Sequence, residues 1–273
     1  MIFDKNEIFS IWVKNPPTIL NFHSWRSWIR LGYKVHLYGD PNELKKQLPL
    51  DILSKIFLHD LISFPSFTFN KENLLQQIDL WRFIYLKERG GTWLDSDMIL
   101  IKRLSQSDII ISSEHTLQAG GRKSKNTYRP NIGCLRFPPN HPFISAVVDR
   151  LKVNDHQDAN PNVHQTSKMM KFIKILGLKK WSHIYDKVVQ PEVFCPIPYA
   201  FAKEIAVKHW QNANIKYGLK FNHSNENTVG FHLWENILLR KHKINLDEDI
   251  HENSILNRLM GQESCLSTDA FNC

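Results

Sequence analysis

Two carboxylates separated by a single residue, Asp95 and Asp97, follow the short apolar run Thr92-Trp93-Leu94. In extended chain alternate side chains point the same way, so both carboxylates can face one ligand. Hard oxygen donors of this kind suit Mg2+ or Mn2+ bridging two phosphates, with water completing the shell. Placed on a diphosphate leaving group, such an ion stabilises the negative charge that grows as the bond to it breaks. Upstream, Asp79 and Arg82 stand at the i, i+3 spacing that puts both on one face of a helix. Asp-x-Asp alone says little, since a chain of this length contains about one by chance. An ordinary solvated turn would account for it. The helix, glycine pair and aromatic strand in front of it favour a ligand site instead.

The elements around these residues follow from hydrophobic spacing. Ile8 to Val13 reads as a first strand, ended by Pro16-Pro17. Phe22, Trp25, Trp28 and Ile29 recur at helical spacing between Asn21 and Leu31, and Gly32 is the stop. Lys34 to Tyr38 forms a second strand, so strand, helix and strand follow in the order of a parallel α/β sheet. Residues 42–69 are mixed, with short helical pieces. A long helix is expected from Asn70 to Glu88, with Leu74, Leu75, Ile78, Trp81, Ile84 and Tyr85 as its apolar stripe and Gly90-Gly91 as its end. The next strand then runs straight into Asp95-Ser96-Asp97, the carboxyl end where open α/β sheets bind ligands. Later segments read as a strand to Ser112, a glycine-rich loop at Gly120-Gly121, and a strand from Asn131 to Phe137. Helices follow over 143–151 and 163–175, then a late strand from Val229 to Leu233. We expect one domain over residues 1–240 and a polar tail, helical or frayed, over 241–273.

At 273 residues, with 42% hydrophobic and 23% charged residues, the chain can bury a sizeable core. No segment is apolar for long enough to cross a bilayer, and the start, with Asp4, Lys5 and Glu7, has no signal-peptide core. A cytoplasmic protein is the expectation. Cys134, Cys195, Cys265 and Cys273 lie far apart, which excludes a CxxC zinc site and a dense disulfide framework. The net charge of +8 attracts anions, but no nucleic-acid motif accompanies it. Contact with an anionic membrane surface, peripheral at its inner face, is the better use of the surplus, and a merely solvated basic face is the simplest.

The run Asp79-x-x-Arg82 … Tyr85-Leu86 … Gly90-Gly91-x-Trp93-Leu94-Asp95-x-Asp97 resembles the donor-binding core of glycosyltransferases with a DXD-containing sugar-binding region. These are the glycosyltransferase family 32-like enzymes, with bacterial capsule and lipooligosaccharide relatives. Ile11-Trp12-Val13, Ser27-Trp28 and Gly32 to Tyr38 extend the likeness, and Asn131 to Cys134, Asn140 to Phe143 and Val229 to Trp234 continue it more loosely. The resemblance implies a GT-A fold, a mostly parallel Rossmann-like sheet flanked by helices. It also implies a nucleotide-diphosphate sugar donor, such as a UDP-sugar, Mn2+ or Mg2+, and retention of anomeric configuration. Carried over by position, Trp12 would stack on the base, and Asp79 and Arg82 would bind donor sugar hydroxyls. Asp95 would lie near ribose and metal, and Asp97 would ligate the metal. His232 would stand near the metal, Trp234 near the diphosphate, and Asn131 near donor or acceptor. Ile78 and Phe83 replace a Ser and a Tyr common in the family, which removes no charged contact but leaves room for a different donor pocket.

The activity so implied is transfer of a hexose or N-acetylhexosamine to a glycan acceptor, a surface polysaccharide or lipooligosaccharide precursor. Two other readings stay open at this point. One is a metal-dependent phosphohydrolase with Asp95 as nucleophile, although such enzymes carry Asp-x-Asp near the chain start. The other is a non-catalytic nucleotide- or glycan-binding protein. Each residue also has a plainer role: Trp12 as core, Arg82 paired with Asp79 or Glu88, His232 as a satisfied core histidine, and Asn131 as a turn cap.

Overall fold

A computed structural model describes residues 3–13, 15–61, 74–117, 123–154, 168–209 and 227–261. In chain order the elements begin β1 (Glu7–Ile11), α1 (Ile19–Arg30), β2 (Lys34–Gly39), α2 (Pro41–Gln47), α3 (Leu50–Leu53), β3 (Ile56–Asp60), α4 (Leu74–Glu88), β4 (Gly91–Leu94) and β5 (Met98–Leu100). They continue as β6 (Ile110–Leu117), β7 (Lys123–Phe137), α5 (Pro142–Asn154), α6 (Lys168–Leu176), α7 (Ser182–Tyr185), α8 (Pro191–Phe194), α9 (Ala202–Val207), β8 (Gly230–His232) and α10 (Ile255–Gly261).

Six strands form one sheet in the order β3-β2-β1-β4-β7-β6. The pairs β3/β2, β2/β1 and β1/β4 are parallel, and β4/β7 and β7/β6 are antiparallel. This is the mostly parallel α/β architecture expected of a GT-A domain. Alternation along the strands sends side chains to two faces. Phe9 and Trp93 point into a cluster with Trp81, Phe83 and Ile84 of α4, Phe143 and Val147 of α5 and Phe172 of α6. Ile8, Val35, Leu37 and Leu94 point the other way, onto Trp25 and Trp28 of α1, Leu44 of α2 and Ile52 of α3. Both faces of the sheet are therefore covered, as a parallel sheet requires.

Three local devices fix the approach to the site. Thr18 caps α1 through a reciprocal box with Asn21. Gly32, at φ +77°, turns the chain from α1 into β2. Gly90 and Gly91, at φ +69° and +103°, do the same from α4 into β4. A Cβ on Gly90 would come within 2.6 Å of the Pro139 ring, so this turn admits no side chain.

β3 was not foreseen: its run Ile-Phe-Leu-His-Asp has no clear alternation, and Phe57 lies exposed. The strand exists because its backbone pairs with β2 over its full length. β5 and β8 make a separate two-stranded antiparallel sheet that leads directly out of the Asp95-Ser96-Asp97 turn. Beyond Lys241 the described chain continues to α10, whose Ile255, Leu256 and Leu259 are buried with Ile205 of α9 and Phe231 of β8. The glycine-rich loop at 120–121, the start of the helix expected from Asn70, and residues 163–167 lie outside the described residues, as do Cys265 and Cys273. Among the described residues, no helix is long and apolar enough to cross a membrane.

Candidate functional site

The Asp-x-Asp turn begins where β4 ends. Asp95 N–H donates to Gly133 O of β7 at 2.8 Å, and Met98 N–H donates to Asp95 O at 3.1 Å, closing the turn. Ser96 between them points back into the sheet: its Oγ lies 2.9 Å from Ser10 Oγ, and Ser10 Oγ also donates to Leu94 O at 2.7 Å. With Ser96 tied inward, the two aspartates on either side are free to face outward together.

Arg82 of α4 joins the helix to this turn. Its Nη2 donates to Asp79 Oδ1 at 3.1 Å and its Nη1 to Ile132 O at 2.6 Å, while Nη1 also lies 3.4 Å from Asp95 Oδ1. The guanidinium sits 4.2 Å above the Trp93 ring, and Trp93 Nε1 donates to the same Asp95 oxygen at 2.8 Å. Asp95 is thus held on one oxygen by two donors, which leaves Oδ2 directed toward His232 and Gly133.

The third contributor comes from β8. His232 Nε2 lies 3.3 Å from Asp97 Oδ1 and 3.9 Å from Asp95 Oδ2. Ligand atoms of Asp95, Asp97 and His232 all fall within 4.8 Å of one another, close enough to hold one metal ion. The Trp234 ring stacks on His232 at 4.0 Å, and its Nε1 donates to Ile197 O at 2.9 Å. Trp234 adopts φ +58°, a left-handed conformation that a bulky side chain adopts only under constraint.

Electrostatics follow from this packing. Burial raises the Asp95 pKa above the usual carboxylate value, outweighing Arg82 and His232. Burial also opposes ionisation of Asp97, but His232 and the Glu235 N–H prevail and hold its pKa low. For His232, burial works toward the neutral ring and Asp97 overcomes it, so its pKa stands well above the ordinary imidazole value. Positive charge is favoured where the two carboxylates converge, the same demand that a divalent cation meets. Two carboxylates and an imidazole are a donor set that fits Mn2+, and also Mg2+ through its oxygens.

The structure brings Asp79, Arg82, Asp95, Asp97, His232 and Trp234 together. Trp12 follows β1, beside the turn. Its ring meets Trp25 edge-on at 6.0 Å and its Nε1 donates to Asn15 O at 2.6 Å. Asn131 is buried in β7: its Oδ1 accepts from Ser112 Oγ and from Gly133 N–H at 3.2 Å, and its Nδ2 lies 3.3 Å from Cys195 Sγ. Its amide atoms are engaged within the chain and fix Gly133 next to Asp95. Sequence reasoning missed Gly133 as a site residue; a Cβ there would lie 3.3 Å from Asp95 Oδ2 and 3.5 Å from His232 Cε1. It also missed Glu235, whose N–H donates to Asp97 Oδ2 at 2.9 Å. Its position directly after the His232-Leu233-Trp234 run was the only available signal.

Fold and site together define an α/β protein with a candidate cation centre at the mouth of a parallel sheet. Residues 36–117 match the family model described as the glycosyltransferase sugar-binding region containing the DXD motif. The matched region is less than half of the chain and holds Asp79, Arg82, Asp95 and Asp97. No curated protein matches the chain. Among solved structures it is similar to the PaToxG glycosyltransferase, at 20% identity and TM-score 0.44, covering 64% of this chain and 68% of that one. It is also similar to the glycosyltransferase GlyE of Streptococcus pneumoniae TIGR4, at 14% identity and TM-score 0.47, covering 98% of this chain and 62% of GlyE. The apo form of GlyE aligns with TM-score 0.48 at 13% identity.

Proposed function

We propose that the chain moves a hexose or N-acetylhexosamine from a nucleotide-diphosphate sugar, a UDP-sugar first among them, to a glycan acceptor, with retention of configuration. A surface polysaccharide or lipooligosaccharide precursor is the acceptor class. The supporting observation is the convergence of Asp95, Asp97 and His232 within 4.8 Å beside an Arg82 already bonded to Asp79. Asp95, Asp97 and His232 would hold Mn2+ or Mg2+, which when bound neutralises charge on the donor diphosphate.

The chain's own residues do the rest. Asp79 and Arg82 offer a carboxylate and a guanidinium to sugar hydroxyls, and Arg82, fixed by Ile132 O and Trp93, needs little reorganisation to do so. Trp12 offers a half-buried indole face to the base, and Trp234 borders the diphosphate. In the retaining reaction the acceptor hydroxyl attacks C1 from the face that the diphosphate leaves. The C1–O bond to phosphate breaks, the C1–O bond to acceptor forms, and the acceptor's proton passes to the leaving phosphate oxygen. A phosphohydrolase reading fits less well, because Asp95 Oδ1 is already engaged by Trp93 and Arg82 and burial disfavours its anionic form.

Incubation with Mn2+ and a panel of sugar nucleotides, with and without glycan acceptors, should release nucleoside diphosphate. Chelation should stop it, and Asp97→Asn should reduce it by roughly a hundredfold or more, about 3 kcal/mol in barrier, with the fold intact. Silence across the whole panel would refute the reading.

For location, the proposal is a cytoplasmic enzyme that touches the inner membrane surface. Over residues 174–187, Leu178 and Tyr185 are exposed, as are Lys174, Lys179, Lys180 and Lys187, with Asp186 the one exposed acidic residue of the stretch. Co-sedimentation with anionic but not neutral vesicles at low salt is expected. Loss of binding in Lys179→Glu/Lys180→Glu would locate it, and no binding by the unaltered protein would end the idea.

A further inference from the structure

Behind the cation centre lies a second set of polar side chains that the activity does not itself require. Glu235 is buried, yet both of its carboxylate oxygens are bonded: Thr18 Oγ1 donates to Oε1 at 2.5 Å and Asn21 Nδ2 donates to Oε2 at 3.1 Å. Asn21 Nδ2 also reaches Ser96 O, the central residue of the Asp-x-Asp turn, at 3.3 Å. The Glu235 N–H in turn donates to Asp97 Oδ2. Leu233 N–H donates to Asp97 O at 2.9 Å, so the segment 233–235 grips Asp97 through side chain and backbone together.

The geometry points to Glu235, held by Thr18 and Asn21, as the positioning residue that sets the orientation of Asp97 and, through Trp234, of His232. This deepens the proposed function and rests on Asp95, Asp97 and His232 being the cation centre. Three steps carry it. The left-handed Trp234 turns the chain so that the Glu235 N–H points back at Asp97, and a bulky residue keeps that conformation only where its surroundings over-determine it. The anchor on one side is Trp234 Nε1 on Ile197 O, and on the other it is the Glu235 carboxylate on the first turn of α1. With Asp97 Oδ2 committed to the Glu235 N–H, Oδ1 is the oxygen left to face His232 Nε2. Helix α1, remote in sequence, is thereby coupled to the rotamer of an aspartate across the site.

Thr18 and Asn21 require the acceptor pair that the Glu235 side chain offers. Glu235→Ala removes both contacts while leaving the backbone N–H, so any loss traces to orientation and not to a missing ligand.

The test is direct Mn2+ binding, read from the decline of the free-ion electron paramagnetic resonance signal, in proteins whose circular dichroism matches the unaltered chain. Glu235→Ala should raise the Mn2+ dissociation constant by roughly 10- to 100-fold, the range typical of a lost partner of a metal ligand. Glu235→Gln, which keeps the Thr18 contact, should fall between. Should the alanine variant fail to fold, Glu235→Gln and Thr18→Val carry the test, each expected to weaken binding several-fold. Asp97→Asn serves as the control that abolishes binding. Unchanged affinity in folded Glu235 variants, with Asp97→Asn defective, overturns the positioning role alone. No Mn2+ binding by the unaltered protein overturns the cation centre and the positioning role together.

Discussion

Replacing Arg82 by alanine should unfold the balance around Asp95 more than any other single change in the site. The guanidinium is 6% exposed and serves three acceptors at once: Ile132 O at 2.6 Å, Asp79 Oδ1 at 3.1 Å and Asp95 Oδ1 at 3.4 Å. Removing it leaves a buried carbonyl unpaired, at about 1–3 kcal/mol. It also leaves the Asp95 carboxylate without its nearest cation, and breaking a buried pair costs about 3–5 kcal/mol. Asp95 lessens that penalty by taking up a proton, because burial already raises its pKa and Arg82 is the main force opposing that rise. The net expectation is about 3 kcal/mol lost from folding stability. Because a protonated carboxyl is a poor metal ligand, Mn2+ binding should also shift to higher pH. Arg82→Lys keeps the charge but not the planar fork, and should cost about half as much. Urea titration at pH 7 gives the stability difference, and Mn2+ binding followed from pH 5 to pH 8 gives the shift. An Arg82→Ala protein with the same urea midpoint as the unaltered chain, and the same pH midpoint for Mn2+, would refute this account of the site.

Two further perturbations probe other parts of the molecule. Gly133→Ala places a methyl group 3.2 Å from Met98 Cε and 3.3 Å from Asp95 Oδ2, so it should shift Asp95 and lower turnover by about tenfold while the melting temperature changes by only a few degrees; full activity in this variant would mean that the site is looser than drawn. His36 and His59 share one hydrogen bond, Nδ1 to Nε2 at 2.9 Å, and burial, aided by the His59 charge, lowers the His36 pKa to about 4. A folded state that resists protonation is at full advantage above about pH 6.5 and loses it as pH falls toward 4, by up to about 3 kcal/mol. His36→Gln should flatten that part of the stability profile measured by urea titration, and an unchanged acid slope would place the sensitivity elsewhere.

Much of this was legible from local pattern. The α1 stripe of Trp25 and Trp28, the long apolar α4 and the glycine pair before β4 announce their elements because helical spacing and positive-φ turns are local properties. The Asp95–Asp97 pair and the Asp79–Arg82 pair were readable for the same reason. β3 was not, because its stability lies in its backbone register with β2. Glu235 was not, because its meaning depends on Thr18 and Asn21, more than two hundred positions away. Asn131 was noticed for its type, but its bond to Ser112 exists only once β6 and β7 pair. What sequence hides here is partnership between strands and between elements distant in the chain, which no window along it samples.

The place of the site has a topological cause. From β1 the chain runs outward through β2 to β3 on one side, then returns through α4 to lay β4 on the other side of β1. The crossover therefore reverses between β1 and β4, and the loops leaving those two parallel strands diverge to opposite faces, opening a crevice at their carboxyl ends. Register fixes what lines it. Ile8 pairs with Thr92 and Phe9 with Trp93, so two strands in step deliver Trp12 from β1 alongside Asp95 to Asp97 from β4. The serine bond between Ser10 and Ser96 locks that step, since a slip of one residue would turn both aspartates toward the core. α4, as the returning crossover, necessarily crosses above the same crevice and brings Arg82 to Asp95. Trp12, the Asp95–Asp97 pair and the Asp79–Arg82 pair are thus brought together by one strand order, and β8, paired with β5, adds His232.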